Sequence, residues 1–242
     1  MTIALKTWAA AGALVLAAGV AGAAGVSGQG TWETTLQPRD LDGDTVTDAF
    51  YDTGLDITWL RNANMNGTMN WSDANAWAAN LVVGAYSDWR LPTMVDIGAP
   101  GCNPSSVGGT DCGYNVQTKT GATVFSEMAH LWYVTLGNKS LCPPGDVGCF
   151  VSPPGWGLTN TGDFQDTQSG PYWAGLEYAP FTSDAWYINT FDGSQINIAK
   201  SAAFFALAVR PGDVPAVPEA QTYLMLLGGL SALALVRRRR AH

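Results

Sequence analysis

Two uncharged apolar runs bracket the chain, and a mixed, aromatic-rich body lies between them. The first extends from Trp8 to Val26 behind Lys6, is built from Ala, Gly, Val and Leu, and contains the small-residue site Ala21-Gly22-Ala23. A basic start, an apolar stretch and a small-residue cleavage site predict a secretory signal over residues 1–28. Gly12, Gly19, Gly22 and Gly25 make that stretch a poor buried helix. The second run, Ala220–Val236, is seventeen residues without a charge and stops at Arg237–Arg240. Seventeen is the short limit for crossing a bilayer core, and the arginine cluster favours a cytoplasmic end. A transmembrane segment at 220–236 is therefore expected.

In the body, residues 29–212, the period changes along the chain. Two short strands flank the turn Asp52-Thr53-Gly54 between Ala49 and Leu60. Ala74, Trp77, Ala78 and Leu81 recur at helical spacing, which predicts a helix over Trp71–Val82 with Asn70 or Ser72 as its cap. Phe125, Met128, Ala129 and Trp132 predict a second helix over Val124–Val134. The last third alternates instead. Tyr172–Tyr178, Asp184–Phe191 and Ser194–Ala199 read as strands, the latter two joined by Asp192-Gly193 in a two-residue type I′ turn. Trp186, Ile188, Ile196 and Ile198 mark one buried face, and Ala203–Arg210 supplies a closing strand. Two helices followed by an antiparallel sheet define an α+β domain.

Charge narrows the functional classes. Between residues 30 and 217 there are seven basic and nineteen acidic residues, a net charge of −12. Such a body repels phosphate backbones and excludes nucleic acid as a partner. His130 and His242 are the sole histidines, which excludes a multi-histidine metal centre. Cys102, Cys112, Cys142 and Cys149 allow three pairings, and spacing favours two local bridges, Cys102–Cys112 and Cys142–Cys149. An oxidising compartment would preserve them. Neither pair has zinc-ligand spacing.

Asp40, Asp42, Asp44 and Asp48 occupy positions 1, 3, 5 and 9 of an EF-hand-like loop, and Val46 offers the position-7 carbonyl. Calcium collects six to eight oxygens, so alternating carboxylates can curl around it. Thr45 stands where such loops carry Gly, and Tyr51 where they carry Glu. For catalysis the material is thin. Motifs for a nucleophile elbow, a phosphate loop and a dinucleotide fold are absent. His130, between Ala129 and Leu131, reads as a packing residue, and Glu127 with Glu177 is the one candidate glycosidase pair. Binding has more to work with. Nine tryptophans lie in the body, and Trp32, Trp156, Trp173 and Trp186 fall outside the helices. Their rings can stack on sugar faces while Asn160 and Asp163 bond hydroxyls, so Trp156, Asn160, Asp163, Trp173 and Trp186 form the expected ligand set.

Two resemblances sharpen this reading. Val217-Pro218-Glu219, the apolar run and Arg237, Arg238, Arg239 and Arg240 together resemble a PEP-CTERM sorting signal over residues 213–242, with Ala220 where that motif has Pro. The resemblance implies recognition by an exosortase, a transient inner-membrane anchor and delivery to the surface or extracellular matrix of a Gram-negative bacterium. The body resembles the Lcl C-terminal domain family through Tyr86-Ser87-Asp88-Trp89-Arg90-Leu91-Pro92-Thr93, Gly54–Trp59, Phe125–Leu131, Tyr172-Trp173 and Asp184–Gly193 with Val209-Arg210. That resemblance implies a C-type-lectin-like fold and polysaccharide binding. Trp89, Arg90 and Pro92 are expected to lock a corner, Arg90 and Arg210 through carboxylates. The expected function is non-catalytic adhesion to extracellular polysaccharide, with calcium as the candidate ion. A polysaccharide-acting enzyme and a structural surface protein with a protein partner are the alternatives.

Overall fold

The computed structural model describes residues 25–97, 108–146 and 148–214. Cys102, nearly all of the expected sorting segment 213–242 and most of the expected signal segment 1–28 lie outside the described residues. Among the described residues no helix is long and apolar enough to cross a membrane.

The fold is α+β, built on two antiparallel sheets. A short helix α1 (Trp32–Thr35) leads into β1 (Leu36–Arg39), which pairs with β2 (Ala49–Asp52); β2 pairs with β3 (Ile57–Leu60). A small ribbon joins β4 (Lys119–Thr120) to β5 (Thr123–Val124), and the second sheet contains β6 (Pro171–Glu177), β7 (Asp184–Asn189) and β8 (Gln195–Ala199). Near the end of the body, β9 (Val209–Pro211) returns to pair with β3 and closes the first sheet. The expected closing strand is shorter than its hydrophobic pattern. Residues 204–208 cross from one sheet to the other, with Phe205 bridging Tyr172 and the Ala208 carbonyl accepting from Leu60. This segment is the seam between the sheets.

Helix α2 (Trp71–Asn80) starts where its cap dictates, since Asn70 accepts the Asp73 N–H at 2.9 Å. Ala74 and Ala78 are fully buried, and their small side chains let the helix lie close to Trp173, Ala185 and Ala206. The other face of that sheet is covered too. Tyr172 and Ile188 enter the main core, and Trp186 packs with Met94, Cys112 and Tyr178. Trp59 and Trp132 fill the centre of the main core.

Two expected elements change. Thr123-Val124 pairs as a strand, so the second helix begins later, at α3 (Glu127–His130), where Ser126 accepts the Ala129 N–H. The chain then widens into a π-helical turn, Leu131–Thr135, closed by Leu136 N–H to the Leu131 carbonyl at 2.8 Å. The extra residue turns Leu131, Trp132, Thr135 and Leu136 all inward. The β7–β8 connection is also longer than the expected two-residue turn. Asn189 donates to the Ser194 carbonyl at 2.7 Å across a four-residue loop in which Gly193 alone is left-handed, at φ 82°. A Cβ on Gly193 would lie 2.6 Å from the Trp132 ring. Tertiary packing of that loop onto Trp132 sets its shape.

Described residues ahead of position 29 also pack on the domain. Val26 N–H donates to Asn160 Oδ1 and Gly28 N–H to Glu33 Oε2. Gly30 sits where a Cβ would meet the Thr135 carbonyl at 2.4 Å.

Gly193→Ala combines a left-handed backbone with a clash into a close-packed indole, so it should cost about 3 kcal/mol. Urea denaturation of the variant checks this; a loss under about 1 kcal/mol would mean the loop relaxes freely.

Candidate metal loop and binding surfaces

The Asp-rich stretch forms the connection between β1 and β2. Leu41 anchors it, buried, with its N–H donating to Asp48 Oδ2 at 2.8 Å. Asp40 takes the N–H groups of Gly43 at 2.7 Å and Thr45 at 2.9 Å, and Thr45 adopts φ 74°, the left-handed conformation expected of a glycine there. Asp40, Asp42 and Asp48 each bring one oxygen to within 4.8 Å of the others. Asp44 does not join them; its Oδ1 accepts the Val46 N–H, and the Val46 side chain is exposed. Burial raises the Asp48 carboxyl above its ordinary value, and the neighbouring carboxylates add to that rise. The Gly43 N–H chiefly holds Asp40 low. Three converging oxygens could hold a hard cation whose remaining ligands are carbonyls or water.

The expected ligand residues separate when placed in the fold. Trp173 is fully buried and donates to the Met69 carbonyl; Trp186 is 1 % exposed and donates to Asp96. No ligand can stack on either ring, because both faces of the second sheet are covered. Asn160 is also structural. Its Oδ1 accepts from Val26 and Gly162, and its Nδ2 donates to the Gln29 and Leu136 carbonyls, which exhausts the amide. Trp156 remains half-exposed, with its ring edge-on to Phe191 at 5.4 Å. Phe191 is 51 % exposed, and Phe150 and Val151 project further still. A hollow of about 310 Å³, lined by Lys139, Pro143, Pro144 and Pro153 among others, adjoins this surface through the Lys139–Trp156 bridge. Phe191 had one signal in the sequence, an aromatic residue directly before a turn.

Asp163 belongs to a different place. It is exposed and lines a cleft of about 330 Å³ with Trp32, Glu33, Leu36, Pro38 and Phe50. Asp166 bonds Asn62, and Gln168 closes back on the Asp166 carbonyl.

Cys142 and Cys149 are bridged, with their Cα atoms 4.8 Å apart, and Cys112 is disulfide-bonded. The bridge closes the loop that carries Pro143 and Pro144 and leads into Phe150.

The corner residues act as the sequence suggests. Trp89 is buried, and Arg90 grips Glu127 with two nitrogens at 2.7 Å each. Glu127 also accepts the Thr93 N–H. Glu177 pairs with Lys200 and is half-exposed. Each glutamate of the imagined glycosidase pair thus already holds a basic partner. Arg210 chelates Asp88 at 2.6 and 2.9 Å.

His130 is 9 % exposed, and its Nδ1 has no hydrogen-bond partner among the described residues. Burial lowers its pKa below the ordinary 6.5, against the pull of nearby Asp52 and with help from Lys119. Asp52 is fully buried, accepts from Trp59, Gly54 and Leu55, and is raised chiefly by burial.

These features define a disulfide-bearing α+β domain whose exposed aromatic groups and acidic loop lie apart from its ion-paired core. A family model described as the Lcl C-terminal domain matches residues 48–210, about two thirds of the chain, and the chain belongs to that family. No curated protein sequence matches it. Asp40, Asp42, Asp44, Trp32 and Glu33 precede the matched region.

Arg90→Met leaves the buried Glu127 carboxylate without its cation and should destabilise the domain by about 3 kcal/mol in urea titration. His130 sets a pH dependence. Its folded pKa is depressed, so the unfolded chain binds more protons and stability falls as pH drops through 6.5. Asp52, being raised, contributes with the opposite sign at lower pH. Urea midpoints should fall between pH 7 and 5.5, and His130→Gln should flatten that slope; an unchanged slope would assign it elsewhere.

Proposed function

We propose that this protein is exported and serves as a non-catalytic polysaccharide-binding domain of the cell surface or extracellular matrix. The observation that carries the proposal is the exposed Trp156–Phe191 pair beside an open hollow. Aromatic rings left in water on a rigid rim are suited to the apolar faces of sugars, and solvent-exposed apolar patches of this kind mark interaction sites. Neutral chains suit the rim better than sulfated ones, because the body carries −12.

The family membership supports a C-type-lectin-like relation, as does the return of β9 to the sheet formed by the first strands. A disulfide is compatible with an extracellular protein. Export by the leader, exosortase processing at the Val217-Pro218-Glu219 motif and a transient membrane anchor at 220–236 complete the proposed route. Cleavage after Ala23 would retain the packed residues Gly25 to Gly28. Calcium is the proposed ion for Asp40, Asp42 and Asp48, where it would stiffen the β1–β2 connection. A structural role with a protein partner is the second reading, favoured by Phe150, which is 86 % exposed.

The test is binding of the processed protein to neutral soluble polysaccharides, with and without calcium. Trp156→Ala and Phe191→Ala should each weaken binding about tenfold, in line with one lost stacking contact. Calorimetry should show calcium binding that Asp48→Asn removes. Binding unchanged in both aromatic variants would overturn the assignment to this rim. Capture of a single protein with no glycan binding would favour the second reading.

A further inference from the structure

We propose that the cleft between the N-terminal segment and the first sheet is a second binding site, and that its ligand is a cationic amino sugar, a pyranose ring bearing a free ammonium group. The cleft stands on different residues from the Trp156 rim, and the inference does not require that rim to function. One wall, Trp32 to Pro38, precedes the family-matched region; Phe50 and Asp163 belong to the matched domain. The site is therefore assembled from residues on both sides of the start of the matched region.

Its size and lining suit one or two sugar rings. The volume of about 330 Å³ is at the small end of ligand pockets, which run from about 300 Å³ upward. Trp32 is half-buried and held in orientation. Its Nε1–H donates to the Val26 carbonyl at 3.3 Å, and Gly25 and Gly162 pack directly against the indole. A Cβ on Gly25 would lie 2.9 Å from that ring. With Leu36, Pro38 and Phe50, the indole gives the cleft an apolar wall for the C–H face of a sugar.

The polar groups decide which sugar. Glu33 and Asp163 are the two charged residues lining the cleft, and both are acidic. Glu33 is fixed by Ser27 Oγ and Gly28 N–H, at 2.9 Å each, and the Gly28 N–H chiefly keeps it ionised. Asp163 is exposed and accepts no hydrogen bond among the described residues. A uronate or a sulfated sugar would be repelled here. A neutral sugar would use the wall and leave the exposed Asp163 carboxylate without a charged partner. An ammonium on a ring stacked against Trp32 would pair with Asp163, and the negative charge of Glu33 on the same cleft would favour it. The −12 charge of the body favours the encounter.

The test uses the full processed protein, titrated calorimetrically with glucosamine tetramer and with its fully N-acetylated counterpart, in EDTA, at a pH where the amine is protonated. The free-amine form should bind about tenfold or more tightly than the acetylated form, as expected for a charge-assisted hydrogen bond. Asp163→Asn, on an exposed loop, should remove most of that preference without changing the fold by circular dichroism. Trp32→Ala should weaken both forms. Trp156→Ala should change neither, which separates this site from the rim. Equal binding of the two tetramers, an Asp163→Asn variant that keeps the preference, or a lysine tetrapeptide that binds as tightly as the amino sugar would each overturn the proposal.

Discussion

Arg90 reaches Glu127 with both terminal nitrogens at 2.7 Å, and its backbone exchanges two 2.8 Å hydrogen bonds with Val209. Glu127 opens helix α3 and also receives the Thr93 N–H, so one residue, Arg90, gathers the corner and the helix by its side chain and the closing strand by its backbone. A planar fork suits this position because a carboxylate with 7 % exposure needs two donors in fixed geometry. Trp89, next in the chain, is buried in the main core, and the Pro92 carbonyl accepts from Gly175 to bring β6 alongside. The second sheet thus takes its place from the same corner. With the carboxylate engaged by Arg90 and Thr93, the corner, the helix and the second sheet are fastened to one another.

That division explains the fate of the tryptophans. The second sheet lies between α2 and the main core, so residues on both of its faces are enclosed. Trp173 and Trp186 satisfy their N–H groups internally, which lets large rings be buried without an unpaired donor. Trp156 and Trp32 sit at the edges instead, each beside an open hollow or cleft. Position relative to the two sheets, and not tryptophan abundance, decides which rings stay accessible to solvent.

The parts readable from sequence are those whose causes are local. Asn70 and the Ala74–Ala78 stripe specify α2, and Asp52-Thr53-Gly54 specifies the turn between β2 and β3. The Arg90 and Arg210 ion pairs follow from chemistry that only required carboxylates nearby. What escaped depends on distant partners. Asn160 sits in a polar loop that resembles a binding loop, yet its amide is claimed by Val26, 134 residues earlier. Asp192-Gly193 carries the signature of a two-residue turn, but Trp132 draws the loop into a wider one. Alternation along Asp184–Asn189 suggested one wet face; a helix covers it. The π-helical turn leaves no periodic mark, because it is a single inserted residue.

The way the chain leaves the domain has a mechanical meaning. Strand β9 lies antiparallel to β3, Thr58 Oγ1 donates to the Gly212 carbonyl at 2.7 Å, and Asp213 is gripped by Arg39 while Arg210 holds Asp88. Val214, the last described residue, is fully buried. Tension applied at the C-terminal end therefore meets several bonds loaded together around the last strand before it reaches the core. Force on that end is met at this exit first, so the closing strand acts as the cleat of the fold.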